Sequence, residues 1–407
     1  MLDLIIKNAI LGEDQHVKSI GVSDHVIKEI QDEITEPASK IFDAENQLIC
    51  SGFFESHIHL DKACILDRCK IEKGNLEEAV EQTGNAKKEF TKDDVFERAS
   101  KVIEMAIKKG TMGLRTFVET DSKTKLRAFE AIKNVRKKHA FALDMEICAF
   151  AQEGLTQSPE THDLLKKALK NGADLVGGCP YKDENPEQHI EMIFDLAEEF
   201  DVNADFHLDF DLDPTNSSIP KIAEETLKRN YQGRVTIGHV TKLAAMSKAQ
   251  RKEMKQLLKK AEIALTVLPA TEIFLNGRDH EPLVPRGMVN ANELAEFGIA
   301  TTISSNNILN AFTPYGDASL LRMANMYANI AQLSKGDSIE EVYQMITSNA
   351  AKLLAMQTEI KIGAPANFVI LEAKDPIEAI RSIAQPLAGF KNGKQTFSNP
   401  KAEIYFE

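Results

Sequence analysis

His57 and His59 sit one residue apart in the stretch Ser51 to Lys62, where Gly52, Phe53 and Phe54 precede them without a helical apolar stripe. On an extended strand, side chains alternate in direction, so two residues at this spacing point to the same side. On a helix they would stand about 200° apart. One strand end can therefore offer both imidazoles to a single divalent metal. Most such pairs are nothing more than solvated or core histidines, so the pair counts only if other ligands converge on it. Further candidates follow other apolar runs: Gln152 and Glu153, then His207, then His239. His57, His59 and His207 would make a mononuclear site for zinc or iron with water in the open position. His239 would stand beside that water as base, orienter or electrophile.

Such a set needs a scaffold that brings distant strand ends together. Apolar, β-rich segments fall at Gly52–His57, Met112–Val118, Asp144–Ala151, Asp174–Gly178, Val202–His207, Arg234–His239, Ile263–Val267 and Ala300–Ser304. After a longer first crossover they recur at a spacing of roughly 30 residues, a strand plus one returning helix. Thr91 to Asp94 resembles a capping box, with Val95, Ala99, Val102 and Ala106 following at helical spacing. Eight such units predict a (β/α)₈ TIM barrel, whose active sites lie at the C-terminal ends of the strands. The four histidines stand at those ends. Residues 50–355 are assigned to this barrel. Residues 1–49 and 356–407 carry short alternating runs, a strand candidate at Asn367–Leu371 and a hairpin turn at Lys391–Lys394. They are expected to form one small β-domain built from both termini.

The totals bound the function. The chain has 407 residues, 43% of them hydrophobic, and a formal net charge of −13. That charge disfavours nucleic acid and anionic membrane as partners, and no apolar run approaches the length of a membrane span. Five cysteines without a C-x-x-C pair argue for reduced thiols and a cytoplasmic setting. A small molecule is the expected partner.

Six segments together carry a family resemblance: His57-Ile-His-Leu-Asp-Lys62, Phe150-Ala-Gln-Glu-Gly154, His207-Leu-Asp209, Gly238-His239, Phe274-Leu-Asn-Gly-Arg278 and Gly363-Ala-Pro-Ala-Asn-Phe-Val-Ile-Leu371. In this order and spacing the chain resembles the cytosine deaminase branch of the amidohydrolase superfamily, with Asp61-Lys62 closer to its s-triazine aminohydrolases. The resemblance implies a barrel with a composite β-sandwich, a metal-activated water attacking a ring carbon that bears an amino group, Gln152 on the ring of the substrate, and self-association into a homo-oligomer. Binuclear relatives bridge two metals through a lysine ending the fourth strand. Here that strand ends Val176-Gly-Gly-Cys-Pro180, with Lys182 beyond it, which favours one metal.

Two positions depart from the pattern. The family's metal-binding aspartate after the eighth strand is matched by Asn306, and its proton-shuttling glutamate three residues past His207 is matched by Phe210. An amide oxygen can ligate a metal but is too weak a base to accept a proton at neutral pH. Asn306 is therefore a possible weak fourth ligand, and Asp209 (or Asp211) the candidate proton carrier. The competing reading is a silent relative that keeps only a binding pocket. Lys62 either contacts substrate or neutralises Asp61; Arg115 and Glu119 either line the pocket or form an ion pair. Cys148 and Cys179 are read as core or pocket-wall thiols. His16, His25, His139, His162 and His189 are expected to face solvent, and His280, in a loop after the seventh strand, is a candidate for the border of the pocket.

Overall fold

The computed structural model describes residues 1–12 and 16–405. Among these described residues fifteen strands form two sheets. Four come first: β1 (Leu2–Leu11), β2 (His16–Ser23), β3 (Val26–Gln31) and β4 (Ala38–Cys50). Eight follow: β5 (Phe53–Ile58), β6 (Thr111–Glu119), β7 (Asp144–Ala151), β8 (Leu175–Gly178), β9 (Asn203–Leu208), β10 (Val235–His239), β11 (Ala264–Val267) and β12 (Thr301–Ile303). The last three are β13 (Phe368–Leu371), β14 (Pro386–Lys391) and β15 (Lys394–Ser398).

Strands β5 to β12 pair in chain order, every pair parallel. Strand β6 is buried along its whole length, as are β5 and β8. Both faces of such strands are covered, which is why they read as short apolar runs. The cylinder closes between its first and last strands. Asn306 N donates to His57 O (2.9 Å) and His59 N donates to Asn306 O (2.8 Å). Buried hydroxyls line the same seam: Ser56 Oγ lies 2.7 Å from Ser304 Oγ and donates to Thr302 Oγ1 at 2.9 Å. Helices return between strands; the one at Lys92–Lys108 starts where Thr91 Oγ1 accepts from Asp94 N. The eight-stranded barrel predicted from periodicity is the observed architecture.

The second sheet takes strands from both ends of the chain, in the order β15-β14-β13-β4-β1-β2-β3. Only β1 and β4 pair in parallel. Its own core gathers Ile6, Val22, Ile49, Phe368, Ile370 and Phe390. The turn Asn392-Gly393 has both residues at positive φ, as a tight hairpin requires. Gly52 joins the two units at φ +82°, and a Cβ there would lie 2.2 Å from Met112 Cγ. No other residue fits that joint without displacement.

Candidate active site

The ligand atoms of His57, His59 and His207 all lie within 4.8 Å of one another at the C-terminal ends of β5 and β9. The rings of His57 and His207 are nearly stacked, with centroids 4.4 Å apart; those of His59 and His207 meet edge-on at 5.0 Å. All three are buried. Phe117 packs on His57 at 4.2 Å and Phe150 on His207 at 4.1 Å, both from inside the barrel. Burial, together with mutual repulsion and the nearby Lys62 charge, holds all three imidazoles well below their ordinary pKa. They are therefore neutral, the state in which imidazole binds metal. Both nitrogens of His57, Nδ1 of His59 and Nε2 of His207 have no hydrogen-bond partner among the described residues. Orphaned buried nitrogens are costly unless something satisfies them. A divalent cation fits this donor set. Gly238 on β10 makes room for the His57 ring: a Cβ there would meet His57 Cε1 at 2.9 Å and Nδ1 at 3.1 Å.

Asn306 and His239 complete the floor. Asn306 Oδ1 is buried without a partner, while its Nδ2 lies 3.5 Å from His239 Nε2. Burial, and then Lys62, lowers the His239 pKa to about 3. Phe210 stands edge-on against this ring at 4.6 Å. His239 and Asn306 have φ of +71° and +61°, and Asp209 has φ +50°. Non-glycine residues in the left-handed region concentrate where structure is held for function.

Above the floor lies a narrow cavity, open to solvent on one side, with about 290 Å³ of atom-free space once its mouth is counted. Its walls include Lys62, Gln152, Tyr181, Phe210, His239, Asn307 and Phe312, and among the described residues no aspartate or glutamate lines it. Lys62 Nζ donates to Glu119 Oε1 (2.7 Å) and Gln152 Oε1 (3.3 Å). Behind it, Lys87 Nζ reaches Glu119 (2.6 Å), Asp121 (2.7 Å) and Glu153 (2.5 Å). Burial raises the Glu119 pKa, but Lys62 and Lys87 outweigh it and bring it down to about 2. The acidic trio Glu119, Asp121 and Glu153 thus already holds an ammonium.

Several sequence expectations change. Asp209 does not reach the cavity: its carboxylate accepts from Ser217 Oγ (2.5 Å) and Ser218 N (3.1 Å), bracing the loop after β9. Asp211 is exposed and pairs with Lys242 at 3.0 Å. His139 and His189 are buried rather than solvent-facing. His139 Nδ1 lies 3.0 Å from Val135 O, and His189 Nδ1 is 2.7 Å from Asp183 Oδ2. His280 is exposed and is not among the cavity's lining residues. Arg115 is a structural ion-pair residue inside the barrel, reaching Asp205 (3.0 Å) and Glu146 (2.9 Å). Cys148 and Cys179 are buried, and burial pushes the Cys179 thiol up to about 12; Gln152 Nε2 donates to its Sγ at 3.5 Å.

Two carboxylates escaped notice in the sequence. Glu55 accepts from Ser305 N at 3.0 Å, and burial raises its pKa to about 7. Its place two residues before His57, on the same strand face, was the available signal. Glu272 lies on the short helix Pro269–Leu275 after β11, with Oε1 at 3.6 Å from His239 Nδ1. Nothing in its spacing marks it.

Comparison with known proteins now bears on this geometry. The signature of the Amidohydrolase family matches residues 102–396. The chain belongs to that family. It is 30% identical to N-isopropylammelide isopropyl amidohydrolase of Pseudomonas sp. (strain ADP), over 96% of each chain. It is 25% identical to the pterin deaminase of Rhizobium rhizogenes (strain K84 / ATCC BAA-868), over 87% of this chain and 82% of that one. The crystal structure of 5-methylcytosine deaminase from Klebsiella pneumoniae, liganded with 5-fluorocytosine, superposes with a TM-score of 0.94 at 27% identity, covering 99% of both chains. Amidohydrolases of this family are metal-dependent, and its members support a hydrolase that acts on C–N bonds.

Proposed function

We propose that this amidohydrolase hydrolyses a non-peptide C–N bond of a small cyclic amidine or amino-substituted nitrogen heterocycle. The observation that carries the reading is the histidine cluster beneath the cavity: three buried, neutral imidazoles whose ligand atoms lie within 4.8 Å of one another, each with a nitrogen unpartnered among the described residues, below polar groups suited to a ring. His57, His59 and His207 would hold one divalent cation, zinc or iron, with Asn306 Oδ1 as a weak fourth donor. Such a cation supplies Lewis-acid activation of water and of the ring.

The remaining work falls to the chain's own side chains. Gln152 is fixed by Lys62 on its oxygen and Cys179 on its nitrogen, and presents an amide to the ring edge. Lys62 is held by Glu119 and covered by Phe312, whose ring centroid lies 4.8 Å from Nζ. Phe210 and Leu275 exclude water from the wall beside His239. With Asp209 turned to its loop, His239 is the cavity group placed to handle a proton at the reacting carbon or leaving nitrogen. A small-ring substrate agrees with the polar and aromatic lining of the cavity and with what the relatives act on.

One observation favours a second reading. Among the described residues no carboxylate lines the cavity, so general acid–base help, typically about 10²–10⁴-fold, is left to His239 and to Lys62, which Glu119 already holds. On that reading the chain binds its ligand without turning it over. Metal-loaded protein is to be tested for release of ammonia or amine from cytosine, isocytosine, creatinine and aminotriazine analogues. Release supports the hydrolase; silence combined with a gain of activity in Asn306→Asp supports the binding protein.

A further inference from the structure

Glu272 and Asn306 meet His239 from opposite sides. On one side, Glu272 Oε1 accepts a hydrogen bond from Leu268 N at 2.9 Å and lies 3.6 Å from His239 Nδ1, a few tenths of an ångström beyond hydrogen-bond range. Glu272 is fully buried, and its Oε2 and His239 Nδ1 are both without partners. On the other side, Asn306 Nδ2 lies 3.5 Å from His239 Nε2, leaving Asn306 Oδ1 for the cation position. A neutral imidazole has one donor and one acceptor nitrogen, and its neighbours decide which is which.

We infer that Glu272 and Asn306 together lock His239 in the tautomer with the proton on Nδ1, so that Nε2 faces the cavity as an acceptor. Each neighbour calls for the same answer, and at 3.5 and 3.6 Å the two long contacts hold it only together. An amide –NH₂ donates, so Nε2 opposite Asn306 Nδ2 is bare. Glu272 Oε1 already accepts from Leu268 N, so it remains an acceptor whether or not the carboxyl is ionised; any carboxyl proton belongs on Oε2. The proton between Glu272 and His239 then sits on Nδ1. An aspartate at position 306 would accept instead of donate and would call for the opposite tautomer. Asn306 and Glu272 are therefore a matched pair: the amide that replaces a carboxylate at the cavity comes with a carboxylate behind the imidazole. Glu272 is a positioning residue acting through His239. It touches nothing in the cavity, since it is absent from the lining.

The inference rests on His239 facing the reacting atoms, yet its test needs no substrate. Nitrogen-15 histidine labelling of the zinc-loaded full-length chain, with His239 assigned by His239→Asn, reads the tautomer from the ring-nitrogen shifts. The expected spectrum shows a protonated Nδ1 and a bare Nε2. A proton on Nε2 in the unaltered protein overturns the inference, and no variant has to fold for that result. Glu272→Gln keeps the amide oxygen as acceptor and should retain the Nδ1–H form; Glu272→Leu should lose it, and Asn306→Asp should shift the proton towards Nε2. A Leu variant with the unaltered tautomer, or an Asp variant with no shift, contradicts the lock. Where a substrate is turned over, Glu272→Leu should lower kcat by about 10–100-fold with KM nearly constant, and Glu272→Gln should restore most of it. Tautomer and turnover can thus fail separately: a correct tautomer with no activity removes the hydrolase reading alone.

Discussion

Gly238 shows how a single missing carbon keeps the histidine cluster in place. It lies on β10 directly against His57, and a side chain there would press on Cε1 at 2.9 Å and Nδ1 at 3.1 Å. Its neighbours are packed ring on ring, so the pressure cannot be absorbed without moving a ligand. Gly238→Ala should fold, at a cost of about 1–3 kcal/mol, and should weaken cation binding by about 10–100-fold, the loss typical when the surroundings of a ligand are disturbed. Chelator competition measures this; unchanged affinity would show that His57 is not held by that contact. Removing a donor outright is more severe. His207→Ala leaves two imidazoles, and the protein should carry no stoichiometric metal after dialysis, read by elemental analysis.

At the scale of elements, the ends of β5 and β6 are tied to the segment around Lys87 by the buried chain Lys62–Glu119–Lys87–Asp121. Taking away one member of such a set strands the others. Lys87→Met should cost about 3–5 kcal/mol, seen as a lower urea midpoint, and a loss under about 1 kcal/mol would mean that the network is not holding those elements together. The same chain sets a pH dependence. Glu119 is depressed from 4.5 to about 2, so its stabilisation is complete above the unfolded value and disappears as pH falls from about 4.5 towards 2. Glu119→Gln should accordingly flatten the acid limb of a Tm–pH curve in that window. The strands themselves were legible in the sequence because buried parallel strands are short apolar runs, and the four histidines stood at their ends. The directions taken past those ends were not legible. Asp209 leaves β9 with φ +50°, which carries its carboxylate to Ser217 and Ser218 instead of the cavity. Glu272 and Lys87 come from helical segments distant in sequence, where one more charged residue looks like solvated surface. The burial of His139 and His189 is hidden for a related reason: periodicity places them on helices but does not reveal the partners that bury them.

For the whole molecule, a cation bound only by the folded chain must raise its stability. At a hundredfold excess over Kd the gain is about 2.7 kcal/mol. Zinc or iron added to metal-free protein should raise Tm and a chelator should reverse it; a Tm indifferent to both would remove the metal from the proposal. No helix among the described residues is long and apolar enough to cross a membrane. The small sheet ties the two ends of the chain together, since β13 pairs with β4. The seam between β12 and β5 goes further. The polypeptide's three-hundredth-odd residue is stitched to its fifty-seventh and fifty-ninth by two amide bridges, from Asn306 N to His57 O and from His59 N to Asn306 O. A ribosome-bound fragment that stops short of Asn306 would already contain every imidazole of the cluster, but its first strand would be left with a raw border open to other chains. Metal capture by such fragments, compared with the finished polypeptide, would therefore time the moment at which the ring shuts.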